Sequence, residues 1–123
     1  MQPRLTLPPR LRLRRKSDFD AARLRGRRMS DGFFTVTASV NQAGAARLGM
    51  AVAVRAAGGA VARNRIRRII RESFRLHQRE IPAVDLVVSA RAAAAAASRR
   101  ELHASLAALW QKVGEQCATS RSC

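Results

Sequence analysis

The sequence is poor in the residues that cross-link small proteins or build metal sites. Its two cysteines, Cys117 and Cys123, lie within the last seven residues and match neither a zinc ligand set nor a disulfide framework, so we expect both to be reduced. Tyrosine is absent, and four Phe and one Trp are the only aromatic residues. No apolar run reaches the roughly 18 residues of a membrane span. We expect a cytoplasmic protein with no membrane partner.

Acidic residues are scarce as well. Eight Asp and Glu stand against 24 Lys and Arg, which leaves a net charge of +16. Because guanidinium groups grip phosphate oxygens in pairs, this excess predicts a nucleic-acid partner rather than a small-molecule substrate, although a GC-rich genome would also favour Arg over Lys. The carboxylates show no paired spacing, and no nucleophile elbow, His–Cys set or phosphate-binding glycine loop occurs. We expect no catalytic residue, bound metal or cofactor in this chain.

The 123 residues fit one domain. Pro3, Pro8 and Pro9 among several Arg predict an extended basic arm over residues 1–16. A single RNA-binding domain is expected over residues 17–114, with a tail at 115–123.

Hydrophobic periodicity predicts the order α-β-β-α-β-α. A capping box at Ser17 predicts a short helix over 18–25. Period-two alternation predicts strands over 33–40 and 48–55, paired antiparallel across a short loop. A helix is expected over 61–79, a buried strand over 84–90, and a last helix that starts at Arg99 after the Ser98–Glu101 capping box and ends at Gly114. The fold class is α/β, an α+β sandwich around a small sheet.

The helix over 61–79 is strongly amphipathic. Its apolar arc is Ile66, Ile69, Ile70, Ser73, Phe74 and His77. The opposite arc is cationic, with seven Arg in the 17 residues from Arg63 to Arg79. A merely solvated face would mix charge signs, whereas Glu72 is the only acid there and is expected to pair with Arg68 and Arg75. The arc predicts contacts with successive phosphates, while Asn64 either contacts RNA or caps the helix.

The segment GAVARNRIRRIIRESFR, residues 59–75, resembles the signature of the bacterial ribonuclease P protein component. The resemblance spans roughly residues 10–113, including the basic stretch before Phe19, the strand after Arg47 and the Trp-bearing last helix. It implies a small mixed sheet with a left-handed βαβ crossover. It also implies the protein subunit of a ribonucleoprotein that removes the 5′ leader of precursor tRNA, with catalysis by the RNA and its Mg²⁺.

The resemblance also assigns roles to individual residues. The residues implied to contact the catalytic RNA are Arg63, Asn64, Arg65 and Arg68. The cleft for the leader is bordered by Phe19, Thr37, Arg67 and Arg71. Auxiliary basic residues are Arg12, Arg14, Arg15, Arg55 and Arg75. Arg23 and Thr37 stand where relatives place aromatic side chains, which favours charge over base stacking in this cleft.

The expected partners are therefore the catalytic RNA and precursor tRNA. A structural rRNA-binding ribosomal protein is the main alternative, because composition alone does not separate the two. A DNA-binding helix-turn-helix protein ranks third, since its recognition helix needs side chains chosen for base edges.

Overall fold

The fold is a four-stranded sheet with two long helices packed on one face. The computed structural model describes residues 26–41, 44–53 and 58–117. The strands are β1 (Arg27–Ser30), β2 (Phe34–Val40), β3 (Arg47–Met50) and β4 (Val84–Ala90), and the helices are α1 (Ala60–His77) and α2 (Arg99–Gln116). A short 3₁₀ helix, Ala92–Ala96, precedes α2. The predicted α+β sandwich is confirmed, whereas the expected helix over 18–25 lies outside the described residues.

The order of the strands in the sheet is β1-β2-β4-β3. The antiparallel pairing expected between the strands over 33–40 and 48–55 was therefore wrong. β4 lies between them, antiparallel to β2 and parallel to β3. The two strands of a parallel pair need a crossover, and α1 lies in the connection between β3 and β4. The sheet is mixed, as predicted, and the left hand of this crossover stays a prediction.

Alternation along the strands gives the sheet two different faces. Phe34, Val36 and Ala38 of β2 point into the core, and Leu86 and Val88 of β4 stand opposite Ala38 and Val36. The other face is largely polar and includes Thr35, Thr37, Ser39, Asp85 and Ser89. The alternation favoured a half-buried strand with one open face, and this was wrong. Thr35 and Ser39 are buried along with the apolar residues, and Thr37 is the partly exposed β2 residue on this face.

Both helices bury an apolar arc in the same core. The arc of α1 is the predicted one except for His77, which is half-buried: Ile66, Ile69, Ile70, Ser73 and Phe74 are buried. The arc of α2 is Leu102, Leu106, Leu109, Trp110 and Val113. The Phe74 and Trp110 rings meet edge to face with centroids 6.1 Å apart, and the Trp110 indole N–H donates to the Ser73 hydroxyl at 2.9 Å. This contact fixes the two helices relative to each other.

Several element boundaries differ from the predicted ones. β1 was not predicted, and β3 ends at Met50 rather than at residue 55. α1 ends at His77, two residues before Arg79. Gly114 does not end α2, which continues to Gln116. Cys117 is buried and disulfide-bonded, so the expectation of a reduced thiol at this position was wrong.

Candidate nucleic-acid interface

The start of α1 lacks the usual devices that stabilise a helix N-terminus. Gly58 and Gly59 have φ values of 84° and 135°, which favour glycine and turn the chain into the helix. Gly59 is the N-cap, with no side-chain hydrogen bond and no acid in the first turn. Asn64 lies inside the helix, so the alternative role of Asn64 as a cap is excluded. The first turn therefore remains electropositive from its dipole and its arginines.

Four side chains of α1 line a groove of about 220 Å³: Asn64, Arg67, Arg68 and Arg71. Asn64, Arg68 and Arg71 are exposed, and Arg67 is half-buried. The groove lies on the polar side of the helix, away from the buried isoleucines. It combines three guanidinium groups with one amide, a set that suits phosphate oxygens together with one directional polar contact.

Two other arginines of α1 are held by backbone carbonyls. Arg63 Nε donates to the Val52 carbonyl at 2.6 Å, which ties α1 to the segment after β3. Arg65 Nη2 donates to the Ala97 carbonyl at 3.1 Å, just before α2. These bonds restrict the rotamers of both side chains, so less conformational entropy is lost when a phosphate binds. Arg63 and Arg65 therefore also contribute to the fold.

Arg67 is electrostatically strained in the free protein. Partial burial lowers the pKa of its guanidinium, and Arg63 and Arg71, one turn away on either side, lower the pKa further. Its Nε is buried and has no hydrogen-bond partner among the described residues. Because a nearby anion would counter all three effects, the site favours a phosphate at this point.

Thr37 lines a second recess, of about 320 Å³, on the polar face of the sheet. Its other lining residues are Gly26, Arg28, Thr35 and Ser89. Strand pairing assembles it, since Arg28 stands opposite Thr37 and Thr35 opposite Ser89. The recess thus joins three hydroxyl groups to one guanidinium. Arg28, Thr35 and Ser89 were not predicted, although the polar alternation around Thr37 was a signal for Thr35.

The groove and the recess share no lining residue. Among the described residues, the structure places Thr37 in the recess, and it places Arg67 and Arg71 in the groove with Asn64 and Arg68. The expected role of Thr37, Arg67 and Arg71 at one cleft stays a prediction. Phe19, Arg12, Arg14, Arg15 and Arg55 lie outside the described residues, and their roles stay predictions.

Arg75 and His77 of α1 and His103 of α2 line neither the groove nor the recess. Arg75 is half-buried, and its Nε has no hydrogen-bond partner among the described residues. His77 is half-buried, and its Nδ1 is 2.8 Å from the Ser73 carbonyl. His103 is half-buried, and its Nε2 is buried.

Two carboxylates, Glu72 and Asp85, pair with arginines of other elements. Glu72 accepts hydrogen bonds from Arg99 Nη2 at 2.7 and 2.9 Å, so the ion pairs expected with Arg68 and Arg75 were wrong. Asp85 accepts hydrogen bonds from Arg47 Nε and Nη2, both at 2.7 Å. In the part of the chain that the structure describes, no group of three or more His, Cys, Asp or Glu is placed to hold a metal ion.

Neither of the two long helices in the described part of the chain has the length and apolar character needed to cross a bilayer.

Comparisons with known proteins match nearly the whole chain. The model of a family described as Ribonuclease P matches residues 7–114. A ribonuclease P protein component from Bordetella parapertussis is 49% identical over 92 residues, which are 70% of this chain and 74% of the relative. One from Escherichia coli is 38% identical over 109 residues, which are 89% of this chain and 92% of the relative.

Solved structures agree with the sequence comparisons. The RNase P protein of Staphylococcus aureus superposes with a TM-score of 0.79 at 31% identity, over 83% of this chain and 94% of that one. The RNase P protein of Thermotoga maritima gives a TM-score of 0.74 at 29% identity, over 82% and 96%. The family match spans both α1 and the strands that form the Thr37 recess.

Proposed function

This chain belongs to the bacterial ribonuclease P protein family, and from that premise we propose that it binds the catalytic RNA through α1 and the 5′ leader of precursor tRNA through the Thr37 recess. The holoenzyme then removes the leader in a Mg²⁺-dependent reaction to give the mature 5′ end. The observation that supports this proposal most directly is the cationic polar face of α1, on which Glu72 is the only acidic residue. Its exposed guanidinium groups sit on a rigid helix, which spaces them for successive phosphates.

Catalysis is assigned to the RNA in this proposal. Supporting it, three of the described carboxylates are engaged in the chain's own structure. Asp85 is paired with Arg47, Glu72 with Arg99, and Glu101 with the Ser98 cap. The required Mg²⁺ is assigned to RNA phosphates, and the protein contributes binding and positioning.

The leader is assigned to the recess because of its chemistry. Thr35, Thr37 and Ser89 each offer a hydroxyl that can donate and accept, and Arg28 adds one cation. Such a set suits the phosphate and the 2′-hydroxyl of an unpaired nucleotide. The recess volume of about 320 Å³ is near the lower end of the ~300–1,000 Å³ usual for small-ligand sites. Arg67 and Arg71 were expected at this cleft, but the groove they share with Asn64 and Arg68 favours the catalytic RNA.

The α1 assignment is tested by the affinity of the protein for bacterial ribonuclease P RNA. Replacing both Arg68 and Arg71 by Gln removes two exposed cations without touching the core. We expect affinity to fall about tenfold or more near 100 mM salt, and the slope of log K against log salt to decrease by about 1.4–1.8. Lys112→Gln is the matched control on α2. Equal affinities for the double variant and the control would contradict the assignment.

The leader assignment is tested by comparing precursor with mature tRNA in the reconstituted holoenzyme. We expect the wild type to favour the precursor, and Thr37→Val and Arg28→Gln each to reduce that preference by about 2- to 10-fold, the equivalent of one lost hydrogen bond. Affinity for mature tRNA should stay unchanged. A wild type that binds both tRNAs equally would instead favour a purely structural RNA-binding protein.

A further inference from the structure

We propose that the RNA-binding surface continues from α1 onto the first turn of α2, as a platform formed by Arg65, Arg68, Arg99 and Arg100. This platform would take an additional stretch of phosphate backbone of the catalytic RNA. The inference rests on the proposed function and extends it, because no role was assigned to Arg99 or Arg100 from the sequence.

Two contacts hold the start of α2 against one stripe of α1. Arg65, Arg68 and Glu72 follow each other at intervals of three and four residues, so they share one side of the helix. At one end of this stripe, Arg65 donates to the Ala97 carbonyl. At the other end, Glu72 pairs with Arg99. Arg68 lies between these two contacts along the stripe.

The ion pair leaves part of the Arg99 guanidinium available. Both hydrogen bonds to Glu72 come from the same nitrogen, Nη2, so Nε and Nη1 are not used by that carboxylate. The Arg99 side chain is 64% exposed, and Arg100 is exposed beside it. The ion pair with Glu72 thus holds the Arg99 side chain in one position, while the N–H donors on Nε and Nη1 of Arg99 are still available.

The charges of this turn are unfavourable for the isolated helix. Arg99 and Arg100 are the first two residues of α2, where the helix dipole disfavours cations. The start of α2 is stabilised by the Ser98 hydroxyl, which accepts from the Glu101 backbone N–H at 3.1 Å. The two arginines do not contribute to this stabilisation. An exposed ion pair such as Arg99–Glu72 adds little to stability. A polyanionic partner gives both arginines a function that the fold does not.

The test measures the affinity of the full chain for bacterial ribonuclease P RNA across a salt series. A double variant, Arg99→Gln with Arg100→Gln, is compared with a control variant, Lys112→Gln. Lys112 is exposed on the same helix, 13 positions after Arg99, or about 20 Å along it. Arg100→Gln alone is included, because Arg100 makes no ion pair with another described residue and its loss leaves the Glu72 contact intact.

We expect the double variant to bind about tenfold more weakly than the control near 100 mM salt, and to lower the salt slope by about 1.4–1.8. Arg100→Gln should give about half of that change in slope. The Arg99→Lys, Arg100→Lys variant should recover most of the affinity. Far-UV circular dichroism should be the same for all of them.

Two failures are distinguishable. If the wild type binds the RNA but the Arg99 and Arg100 variants match Lys112→Gln in affinity and slope, the platform is wrong and the proposed function stands. If the wild type itself does not bind this RNA, the proposed function is wrong, and the platform with it.

Discussion

The two long helices have the same length, 18 residues each, and each buries an apolar arc in the same core, yet their polar sides differ. α2 begins with a capping box and mixes acids with bases along its length. α1 has no side-chain cap, and from Arg63 to Arg75 its only acid is Glu72. Like charges one turn apart destabilise a helix, so the nearly all-cationic face of α1 points to a partner that supplies anions.

Beyond its first turn, α2 uses a polar side chain to contact the sheet. Ser105 donates a hydrogen bond to Asp31, which also accepts from the backbone N–H groups of Phe33 and Phe34. This links α2 to the turn between β1 and β2. On α1, Arg63, Arg65, Glu72 and Ser73 make hydrogen bonds to other elements. Asn64, Arg67, Arg68 and Arg71, the four groove residues, make no side-chain hydrogen bond or ion pair to another described residue.

The largest expected effect is on stability, for a substitution in the apolar core that both helices share. Phe74→Ala should lower the free energy of unfolding by about 3–5 kcal/mol, because it opens a cavity in the core and removes the ring contact with Trp110. Thermal or urea unfolding measures this. Leu76→Ala, at a side chain 53% exposed, is the control and should cost about 0.5 kcal/mol or less. Similar losses for both would mean that the buried arc is misplaced.

Asp31→Asn tests the contact that α2 makes with the β1–β2 turn. Burial alone would raise the pKa of Asp31, but hydrogen bonds from Ser105, Phe34 and Phe33 lower it below its ordinary value of 3.8. A lowered folded-state pKa stabilises the fold above pH 3.8, and this stabilisation is lost as the pH falls through the folded value. We expect the variant to cost about 1–2 kcal/mol at pH 7 and less at pH 2–3. A cost that does not change with pH would contradict this.

Ser98→Ala tests the difference between the two helix starts. The Ser98 hydroxyl accepts from the Glu101 backbone N–H, so its loss should cost about 1 kcal/mol. Glu101→Gln preserves the reciprocal cap and is the control, with a smaller cost. At α1, Gly59→Ser would place a side chain on a backbone with φ 135°, which favours glycine, and should therefore destabilise the protein. A stabilised Gly59→Ser variant would show that α1 only lacks an ordinary cap.

Arg67→Gln should have a small effect of the opposite sign on stability. It removes two like-charge contacts, with Arg63 and Arg71, each worth about 0.2–0.5 kcal/mol. We therefore expect the free energy of unfolding to rise by about 0.4–1 kcal/mol while affinity for RNA falls. Lys112→Gln should not stabilise the protein, because Lys112 lies in the attractive field of Asp31. A destabilised Arg67→Gln variant would mean that Arg67 supports the fold.

Sequence patterns located the elements that carry their own periodicity. The buried arc of α1, the bounds of β4 and the start of α2 at Arg99 were all predicted, because helical spacing, an apolar run and a capping box are local signals. β1 was missed because its sequence, RRMS, buries only Met29 and shows no alternation. Its pairing with β2 gives it a strand conformation that its own residues do not indicate.

The parts of the site that depend on long-range pairing were not predictable from one sequence. The recess exists because Ser89 of β4 stands opposite Thr35, and nothing local indicates that β4 inserts between β2 and β3. The partners predicted for Glu72 were wrong for the same reason. Its partner in the structure, Arg99, is 27 residues away in the sequence, whereas the predicted partners Arg68 and Arg75 are one helical turn away. The cationic groove was predictable because a single helix supplies all four of its residues.

The central claim is that this protein assists an RNA catalyst without cutting RNA itself. It is tested most directly by adding the purified full chain to bacterial ribonuclease P RNA and labelled precursor tRNA at low Mg²⁺, where the RNA alone is slow. We predict that the 5′ leader is released only when protein and RNA are both present. Cleavage by the protein alone, or no stimulation of the RNA, would contradict the claim.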